Sequence, residues 1–360
     1  MRILIVKTSA LGDIVHCFHT VRYLRQCLPQ AHIAWIVEKP FSELVTSNPD
    51  VNQVFIIDSK RWRKNLFTRD TWKEIKKVRK ELREKPFDLL IDLQGNIKSA
   101  LVTSQVHCPK KVGFATPYVA ERPSILTTHK RYLPPPGYNI RDDYLYLARQ
   151  AIDGPEVSSL DLSSILLRVT PAQTASNQKF LQSLPSGYTQ KLLVLPGAAW
   201  KNKQLTEKDL SVLLGRIQDK FGFGILIAWG SAEEKAFADR VQSHLKTAHV
   251  IDRLPLPQLQ NLMNSMDLVL AMDSLPLHLA GTTRVPTYSF FGPSDALKYA
   301  PLGPRHAFFQ GECPYGISFN RRCPKLRTCP TGNCLRSLDV EDVFGLFALW
   351  WAWMKTQNIK

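Results

Sequence analysis

The stretch from Leu268 to Asp295, LVLAMDSLPLHLAGTTRVPTYSFFGPSD, constrains the fold of this chain more than any other part. It begins with a short apolar run typical of a buried strand and continues through an Asp-Ser pair that can cap a helix. Strand-like residues then return before a Gly-Pro turn. A strand, a helix and a second strand in this order form one unit of a parallel sheet. The sequence therefore predicts an α/β fold.

The same alternation of apolar runs and helical patterns occurs at the start of the chain and again from Leu192 onward. Residues 152–186, which are richer in Ser, Pro and Gln, separate the two regions. We therefore expect two α/β domains, residues 1–170 and 171–338, followed by a helix within residues 339–360. The centre of that helix, LFALWWAWM, is apolar nearly all round. This pattern predicts burial, and contact of its tryptophans with a membrane interface is the alternative.

The formal net charge of +16 indicates an acidic partner, which could be a nucleic acid, an anionic membrane surface or a phosphorylated substrate. Residues 60–85 contain twelve Lys and Arg against four Asp and Glu. They include a predicted helix, residues 69–84, with an apolar stripe at Trp72, Ile75, Val78 and Leu82. The basic run is either a solvated helix face or an anion-binding surface. Its aromatic residues follow no recognisable RNA-binding motif, so we expect no nucleic-acid partner.

The first residues, Met1–Val6, form a strand-like run without the apolar region and cleavage site of a signal peptide. The longest apolar run, Val343–Met354, is shorter than the ~18 residues of a membrane-spanning helix. We therefore expect a cytoplasmic protein.

Two carboxylates stand where predicted strands end. Asp273 can accept hydrogen bonds from sugar hydroxyls, and the backbone N–H groups of Ser274 and Leu275, at a helix start, can hold a phosphate. Asp13 follows the first strand and can act as a general base at the edge of the sheet where ligands bind. Each of the two could instead only cap its helix.

The motif Asp273-Ser274-Leu275-Pro276-Leu277-His278, followed by FFGPSD, resembles the D-[ST]-G-x-x-H and Y/F-G-P-T/S-D signatures of the bacterial ADP-heptose:lipopolysaccharide heptosyltransferases. Leu275 stands where these enzymes usually have Gly. The resemblance continues at TSALGDIVH near the start of the chain, at RWRK in residues 61–64 and at IDLQGNIKSA in residues 91–100. It is strongest toward the enzymes that add the first heptose.

This resemblance implies the GT-B fold, in which two Rossmann-like α/β/α domains face each other across a cleft and the C-terminal helix packs back onto the N-terminal domain. It implies an inverting glycosyltransferase that moves L-glycero-D-manno-heptose from ADP-heptose to Kdo of lipid A in lipopolysaccharide core synthesis. Such an enzyme would lie at the anionic cytoplasmic face of the inner membrane and require no cofactor for catalysis. A second-heptose enzyme or another sugar transferase of the family is the nearest alternative. A GT-B-fold sugar-nucleotide epimerase and a nucleic-acid-binding protein are alternatives of other classes.

The resemblance also implies roles for individual residues. Asp13 corresponds to the catalytic base, and Lys203 corresponds to the lysine that stabilises the leaving group, with Lys201 as its alternative. The implied donor-binding residues are Gly197, Glu234, Asp273, Ser274, Leu275 and His278, with Glu233 competing for the place of Glu234. For His16 and His278 a structural role is expected first. The implied acceptor-binding residues are Ser9, Gly12, Arg61, Arg63, Lys64, Gln94, Lys98 and Arg122.

Four of the seven cysteines, Cys313, Cys323, Cys329 and Cys334, fall in one stretch, separated by nine, five and four residues. This spacing is not the C-x-x-C pattern of zinc sites, and a reducing cytoplasm disfavours disulfides. A structural metal bound by these four residues is one interpretation of the stretch. Free buried thiols or a conditional disulfide are the others.

Overall fold

A computed structural model describes residues 1–119, 121–160, 162 and 164–357, and each of the two units into which the chain divides is built on a parallel sheet. The units are Met1–Arg168 and Val169–Lys360. This division falls close to the one expected after residue 170.

The first unit alternates strands with helices over most of its length. Its strands are β1 (Arg2–Val6), β2 (His32–Glu38), β3 (Gln53–Ile57), β4 (Leu89–Asp92), β5 (Lys110–Phe114) and β6 (Lys130–Tyr132). Its α-helices are α1 (Leu11–Cys27), α2 (Ser42–Thr46), α3 (Ser59–Lys64), α4 (Arg69–Glu84), α5 (Ile97–Gln105) and α6 (Ile140–Ile152). Short 3-10 turns lie at Lys39–Phe41, Arg122–Thr127 and Val157–Ser159.

The first sheet has the strand order β3-β2-β1-β4-β5-β6, with every neighbouring pair parallel. From β1 the chain first builds toward β3, then returns and builds in the other direction from β4. The boundary between β1 and β4 is therefore a topological switch point, where ligands of open α/β sheets bind at the carboxyl ends of the strands.

The second unit repeats this design. Its strands are β7 (Gln190–Leu195), β8 (Phe223–Ile227), β9 (Ala248–Val250), β10 (Leu268–Met272), β11 (Thr287–Phe291) and β12 (His306–Gln310). Its helices are α7 (Pro171–Ser183), α8 (Glu207–Phe221), α9 (Ala232–Ser243), α10 (Leu256–Met263), α11 (Leu275–Ala280), α12 (Ala296–Tyr299), α13 (Asn333–Arg336) and α14 (Val340–Thr356). A 3-10 turn lies at Lys201–Lys203.

The second sheet has the order β12-β11-β10-β7-β8-β9, again parallel throughout. Its switch point lies between β7 and β10. The residues that follow these two strands include the turn with Lys203 and the Asp-Ser pair at 273–274. The fold therefore collects the predicted donor-binding segments at one edge of this sheet.

The C-terminal helix α14 packs on the second unit. Its buried side chains, Val343, Phe347, Trp351 and Met354, belong to the apolar core formed by β7, β8, β10 and α8. The apolar stripe of the helix is therefore taken up by its own unit, and the expectation that residues 339–360 also pack back onto the N-terminal domain stays a prediction. Residues 358–360 of that range lie outside the described part. No helix in the described ranges has the length and apolar content needed to cross a bilayer.

Candidate functional site

The turn after β1 and the turn after β4 are tied together at the switch point of the first sheet. The side-chain oxygen of Gln94 accepts hydrogen bonds from the backbone N–H groups of Thr8 at 3.1 Å and Ser9 at 3.0 Å. Lys7 Nζ, from the residue after β1, also donates a hydrogen bond to the carbonyl of Leu93, the residue after β4, at 3.2 Å. The two turns therefore support each other, and Ser9 lies beside Gln94.

Asp13 lies in the first turn of α1, immediately after Gly12. Its Oδ2 is 3.9 Å from Lys7 Nζ and 3.4 Å from the backbone nitrogen of Ala10. The Asp13 side chain is 29% exposed, whereas that of Lys7 is only 4% exposed. A solvent-accessible carboxylate at this position can contact a bound hydroxyl and accept its proton.

A cavity of about 410 Å³ opens beside the carboxyl ends of the first three strands. Lys98 donates to Glu38 at 2.8 Å on its wall. Lys60 and Lys64 have no carboxylate partner within 4 Å among the described residues. The lining therefore carries more positive than negative charge and favours an anionic ligand. Its lining residues are Ser9, Glu38, Pro40, Phe41, Asp58, Lys60, Arg61, Lys64 and Lys98.

The predicted acceptor segment, residues 61–64, forms α3, and its three cations differ in their surroundings. Arg61 donates hydrogen bonds to Asp58 at 3.1 Å and to Glu74. The hydrogen bond from Arg61 to Glu74 lowers the pKa of Glu74 below its ordinary value. Arg63 and Lys64 are exposed at the end of the helix. Lys64 lines the cavity, whereas Arg63 does not.

Arg122 lies beside the turn that carries Gln94 and Lys98. The preceding residue, Glu121, accepts a hydrogen bond from the backbone N–H of Ile97 at 2.7 Å and donates its own N–H to the carbonyl of Gly95 at 3.1 Å. Arg122 itself is exposed. The structure therefore brings this predicted acceptor residue to the edge of the sheet at which the cavity opens.

Two buried carboxylates, which the sequence analysis did not single out, support this edge. Asp92 accepts the backbone N–H groups of Gln94 at 2.9 Å and Gly95 at 3.0 Å, and the Ser99 hydroxyl at 2.8 Å. Burial raises the pKa of Asp92 although these bonds oppose the shift. Glu38 accepts the N–H of Ser59 at 3.0 Å. Both acids end a parallel strand, which is the pattern that could have identified them.

In the second unit, Asp273 follows β10 and is 7% exposed. It forms an ion pair with Lys203, and its Oδ1 lies 3.8 Å from Nε2 of His278. Burial opposes ionisation, but the electrostatic attraction of Lys203, with a contribution from His278, outweighs it and holds the pKa of Asp273 below its ordinary value. Lys201, the alternative to Lys203, is exposed.

Ser274 is the N-cap residue of α11, and Leu275 is the first residue of that helix. The hydroxyl oxygen of Ser274 is buried and has no hydrogen-bond partner within the described part of the chain. A buried hydroxyl without a partner costs free energy unless a ligand satisfies it. The arrangement therefore leaves a hydroxyl and the first N–H groups of a helix available beside the Asp273 carboxylate.

Glu234 and Gly197 meet at the ends of the neighbouring strands β7 and β8. The Glu234 carboxylate accepts the backbone N–H of Gly230 at 2.7 Å. A methyl group added at Gly197 would lie 2.4 Å from the carboxyl carbon of Glu234, so a larger residue here would displace the Glu234 carboxylate. Glu233 is exposed and has no part in this contact. Because β7 lies between β8 and β10, these residues share one sheet edge with Asp273.

Cys313, Cys323, Cys329 and Cys334 line one cavity of about 310 Å³ as free thiols. No group of three or more His, Cys, Asp or Glu side chains within the described ranges is arranged to hold a metal ion. The metal-bound interpretation therefore finds no preformed ligand set here.

The loop with these cysteines packs against the segments around Lys203. The side chain of Asn202 donates to the carbonyl of Leu326 at 2.6 Å, and the N–H of Cys323 donates to the carbonyl of Pro293 at 2.8 Å. The loop thus supports both the Lys201–Lys203 turn and the Gly-Pro turn after β11.

Solved structures share this architecture. E. coli heptosyltransferase WaaC with ADP matches with a TM-score of 0.77 and 23% sequence identity, covering 97% of this chain and 100% of that one. E. coli WaaC with ADP-2-deoxy-2-fluoro heptose matches with a TM-score of 0.74 and 23% identity, covering 97% and 99% of the two chains. These likenesses confirm the predicted GT-B fold.

The lipopolysaccharide heptosyltransferase 1 of Pseudomonas aeruginosa is 29% identical to this chain over 295 residues. The aligned part covers 82% of this chain and 79% of that relative. The model of the family described as glycosyltransferase family 9 (heptosyltransferase) matches residues 75–328, which is more than half of the chain. The chain therefore belongs to glycosyltransferase family 9, the heptosyltransferase family.

Proposed function

We propose that the protein is an inverting transferase that moves L-glycero-D-manno-heptose from ADP-heptose to a Kdo residue of lipid A. The observation that carries this proposal is the ionic cluster of Lys203, Asp273 and His278 at the switch point of the second sheet, next to the Ser274 hydroxyl, which has no hydrogen-bond partner among the described residues. The relative named lipopolysaccharide heptosyltransferase 1 and the solved complex with an ADP-heptose analogue support the choice of donor.

The second unit would hold the donor. Asp273 would accept hydrogen bonds from heptose hydroxyls, and Glu234 would accept hydrogen bonds from the ribose. Lys203 and the groups at Ser274 and Leu275 would stabilise the negative charge that gathers on the departing ADP. Groups that bind this developing charge more strongly than the ground state accelerate the reaction. Because these residues supply the positive charge and the donors, the proposal requires no cofactor.

The first unit would supply the base and the acceptor site. Asp13 would remove the proton from the acceptor hydroxyl as its oxygen attacks the anomeric carbon of the heptose, which inverts that centre and releases ADP. A positioned general base typically contributes ~10²–10⁴-fold to the rate. The exposure of the Asp13 carboxylate supports this role.

The cationic cavity of the first unit supports an acceptor with carboxylates and phosphates, such as Kdo-lipid A. Lys64 and Lys98 line it together with Ser9, and Arg63, Gln94 and Arg122 would extend the contact around it. A lipid acceptor implies a place at an anionic membrane surface, which we propose is the cytoplasmic face of the inner membrane. The basic excess of residues 60–85 supports this partner.

The test is to incubate the protein with ADP-heptose and Kdo-lipid A and to follow ADP release by mass spectrometry. Asp13→Asn should lower the turnover by ~10²–10⁴-fold while the affinity for ADP stays unchanged. Asp142→Asn is the matched control, since it removes a first-turn carboxylate from another helix of the same unit. Equal turnover in wild type and Asp13→Asn would exclude Asp13 as the base.

Parallel incubations separate the alternatives. Turnover only with an acceptor that already carries one heptose would indicate a second-heptose enzyme. Conversion of a nucleotide sugar without any acceptor would indicate an epimerase. If no Kdo-bearing acceptor stimulates ADP release, the proposed reaction is wrong.

A further inference from the structure

The connection between α3 and α4 presents large apolar side chains to solvent. Phe67 is 103% exposed, Trp72 is 51% exposed and Leu66 is 43% exposed. The indole N–H of Trp72 donates to the carbonyl of Leu66 at 2.8 Å, which fixes the ring against the connection. We term Leu66, Phe67 and Trp72 the apolar tip. Apolar side chains that are exposed next to one another mark interaction surfaces, whereas singly scattered ones are ordinary.

Next to the apolar tip, α4 carries cations along its solvent face. Successive helical residues are about 100° apart, so positions separated by three or four residues share a face. The buried residues of this helix, Thr71 and Leu82, lie on the opposite face, and its acidic residues lie on the flank. We term the following five residues the cationic stripe: Arg69, Lys73, Lys76, Lys80 and Arg83.

The cationic stripe is mostly not neutralised by the protein. Within the described residues, only Lys73 of the five has a carboxylate within 4 Å, from Asp70 at 3.6 Å. Arg83 donates instead to the carbonyl of Gln105 at 3.1 Å. A helix face that serves only solubility would mix both signs in i,i+4 pairs. A continuous face of one sign therefore indicates an anionic partner.

The combination of tip and stripe selects the partner. A nucleic acid would neutralise the cations and can stack a base on Phe67, but it offers Leu66 no apolar phase. A bilayer with anionic lipids offers headgroup charge to the stripe and, a few ångströms deeper, an acyl region to the tip. Lys64, which lines the acceptor cavity, stands two residues before Leu66. Docking at the tip would therefore bring the mouth of that cavity close to the lipid surface.

We propose that the apolar tip and the cationic stripe dock this protein on an anionic lipid bilayer, with Phe67 inserted at the boundary of headgroups and acyl chains. The inference rests on the proposed function, because it assigns the surface through which an enzyme with a lipid acceptor meets the membrane. It adds a lipid-binding element that is separate from the residues proposed for donor, acceptor and catalysis.

The test is cosedimentation of the full chain with vesicles of equimolar phosphatidylcholine and phosphatidylglycerol, compared with vesicles of phosphatidylcholine alone. The wild type should bind the mixed vesicles and bind the neutral ones weakly. Phe67→Ser should weaken binding about tenfold or more through the lost burial of the ring. Lys76→Gln/Lys80→Gln should weaken it about 25-fold, from about fivefold for each cation.

Lys179→Gln/Lys208→Gln is the matched control, because it removes the same charge from exposed helix positions of the second unit. It should change vesicle binding less than about twofold if the effect is local. Equal binding to both vesicle types, or no binding to either, would overturn the inference. So would a loss of binding in Leu349→Ser, which alters the exposed face of α14, without a loss in Phe67→Ser.

Two further measurements distinguish this inference from its competitors. If Lys76→Gln/Lys80→Gln abolishes binding to a single-stranded oligonucleotide but leaves vesicle binding intact, the partner is a nucleic acid and the inference fails. ADP release with Kdo-lipid A dispersed in detergent should be equal in wild type and Phe67→Ser. Failure of the wild type in that assay refutes the proposed function, whereas failure in the vesicle assay refutes only the docking surface.

Discussion

Replacing Lys203 by Met removes the positive charge beside Asp273 and keeps an unbranched side chain of similar reach. The two partners are only 11% and 7% exposed, so water cannot take the place of the ammonium. Removing one partner of a buried ion pair typically costs ~3–5 kcal/mol, because the other charge stays buried without compensation. His278, 3.8 Å from Asp273, offsets part of this cost. We therefore expect Lys203→Met to lower the free energy of unfolding by about 3 kcal/mol.

Differential scanning calorimetry measures this effect as a lower melting temperature of the second unit. Under the proposed function ADP binds this unit, so its transition should be the one that ADP shifts upward, since a ligand stabilises the domain that binds it. For a domain of this size, a loss of about 3 kcal/mol corresponds to a decrease in Tm of roughly 6–12 °C.

Lys235→Met is the control, because it breaks an ion pair with Asp239 whose partners are 48% and 46% exposed. Such exposed pairs contribute only ~0–1 kcal/mol. The double variant Lys203→Met/Asp273→Asn should recover part of the stability, since it removes the charge left without a partner. If Lys203→Met costs no more than Lys235→Met, the argument from burial is refuted.

The same pair gives a pH dependence of known sign. The folded-state pKa of Asp273 lies below its ordinary value of ~3.9, so the stability it contributes is present above that pH and is lost as pH falls through the folded value. In Lys203→Met the buried carboxyl instead gains stability on protonation. The difference in Tm between wild type and variant should therefore narrow as pH falls from neutral toward the ordinary pKa of aspartate.

Two further predictions concern the nucleotide end of the site and the cysteine loop. Gly197→Ala should displace the flexible Glu234 carboxylate and weaken ADP binding, measured by calorimetric titration, about tenfold with little loss of Tm. Gly215→Ala, where an added Cβ meets nothing within 4 Å, is the control. Equal ADP affinities of wild type and Gly197→Ala would contradict the contact. Near neutral pH, iodoacetamide should label Cys329 well before Cys334, because backbone N–H groups lower the pKa of Cys329 whereas burial raises that of Cys334 to about 11. Peptide mass spectrometry that finds equal labelling rates would refute this order.

The sequence was informative where a motif follows an apolar run. Gln94 and Asp273 each stand just after such a run, and Asp13 follows one across a turn. Within each of the two sheets, parallel strands bring their carboxyl ends to one edge. The secondary structure of residues 61–64, RWRK, was harder to predict from the sequence. These residues belong to the short helix α3, whose N-cap Asp58 accepts a hydrogen bond from the N–H of Arg61. The prediction of an apolar stripe on α4, formed by Trp72, Ile75, Val78 and Leu82, was only partly right. Leu82 is buried, but Trp72, in the first turn, is exposed.

The C-terminal helix shows a second limit of sequence reading. A helix that is apolar nearly all round must be buried, but its pattern does not indicate which surface of the protein it packs against. The partner was set by aromatic surfaces far away in the sequence, such as the Phe223 ring, whose centre is 5.3 Å from that of Trp351. The periodicity of residues 340–356 does not predict that contact.

A buried lysine stands at the switch point of each sheet, and its contacts distinguish a structural cation from one that can meet a ligand. Lys7 donates to the carbonyl of Leu93 and the hydroxyl of Tyr144, so two of its three ammonium hydrogens are bonded to described protein groups, and the Asp13 carboxylate lies 3.9 Å away. The ammonium group of Lys203, within the same described ranges, hydrogen-bonds to Asp273 alone. It therefore keeps two donors for a phosphate oxygen without giving up the carboxylate. This difference depends on a partner 70 residues away along the chain, which explains why local pattern alone could not separate the two lysines.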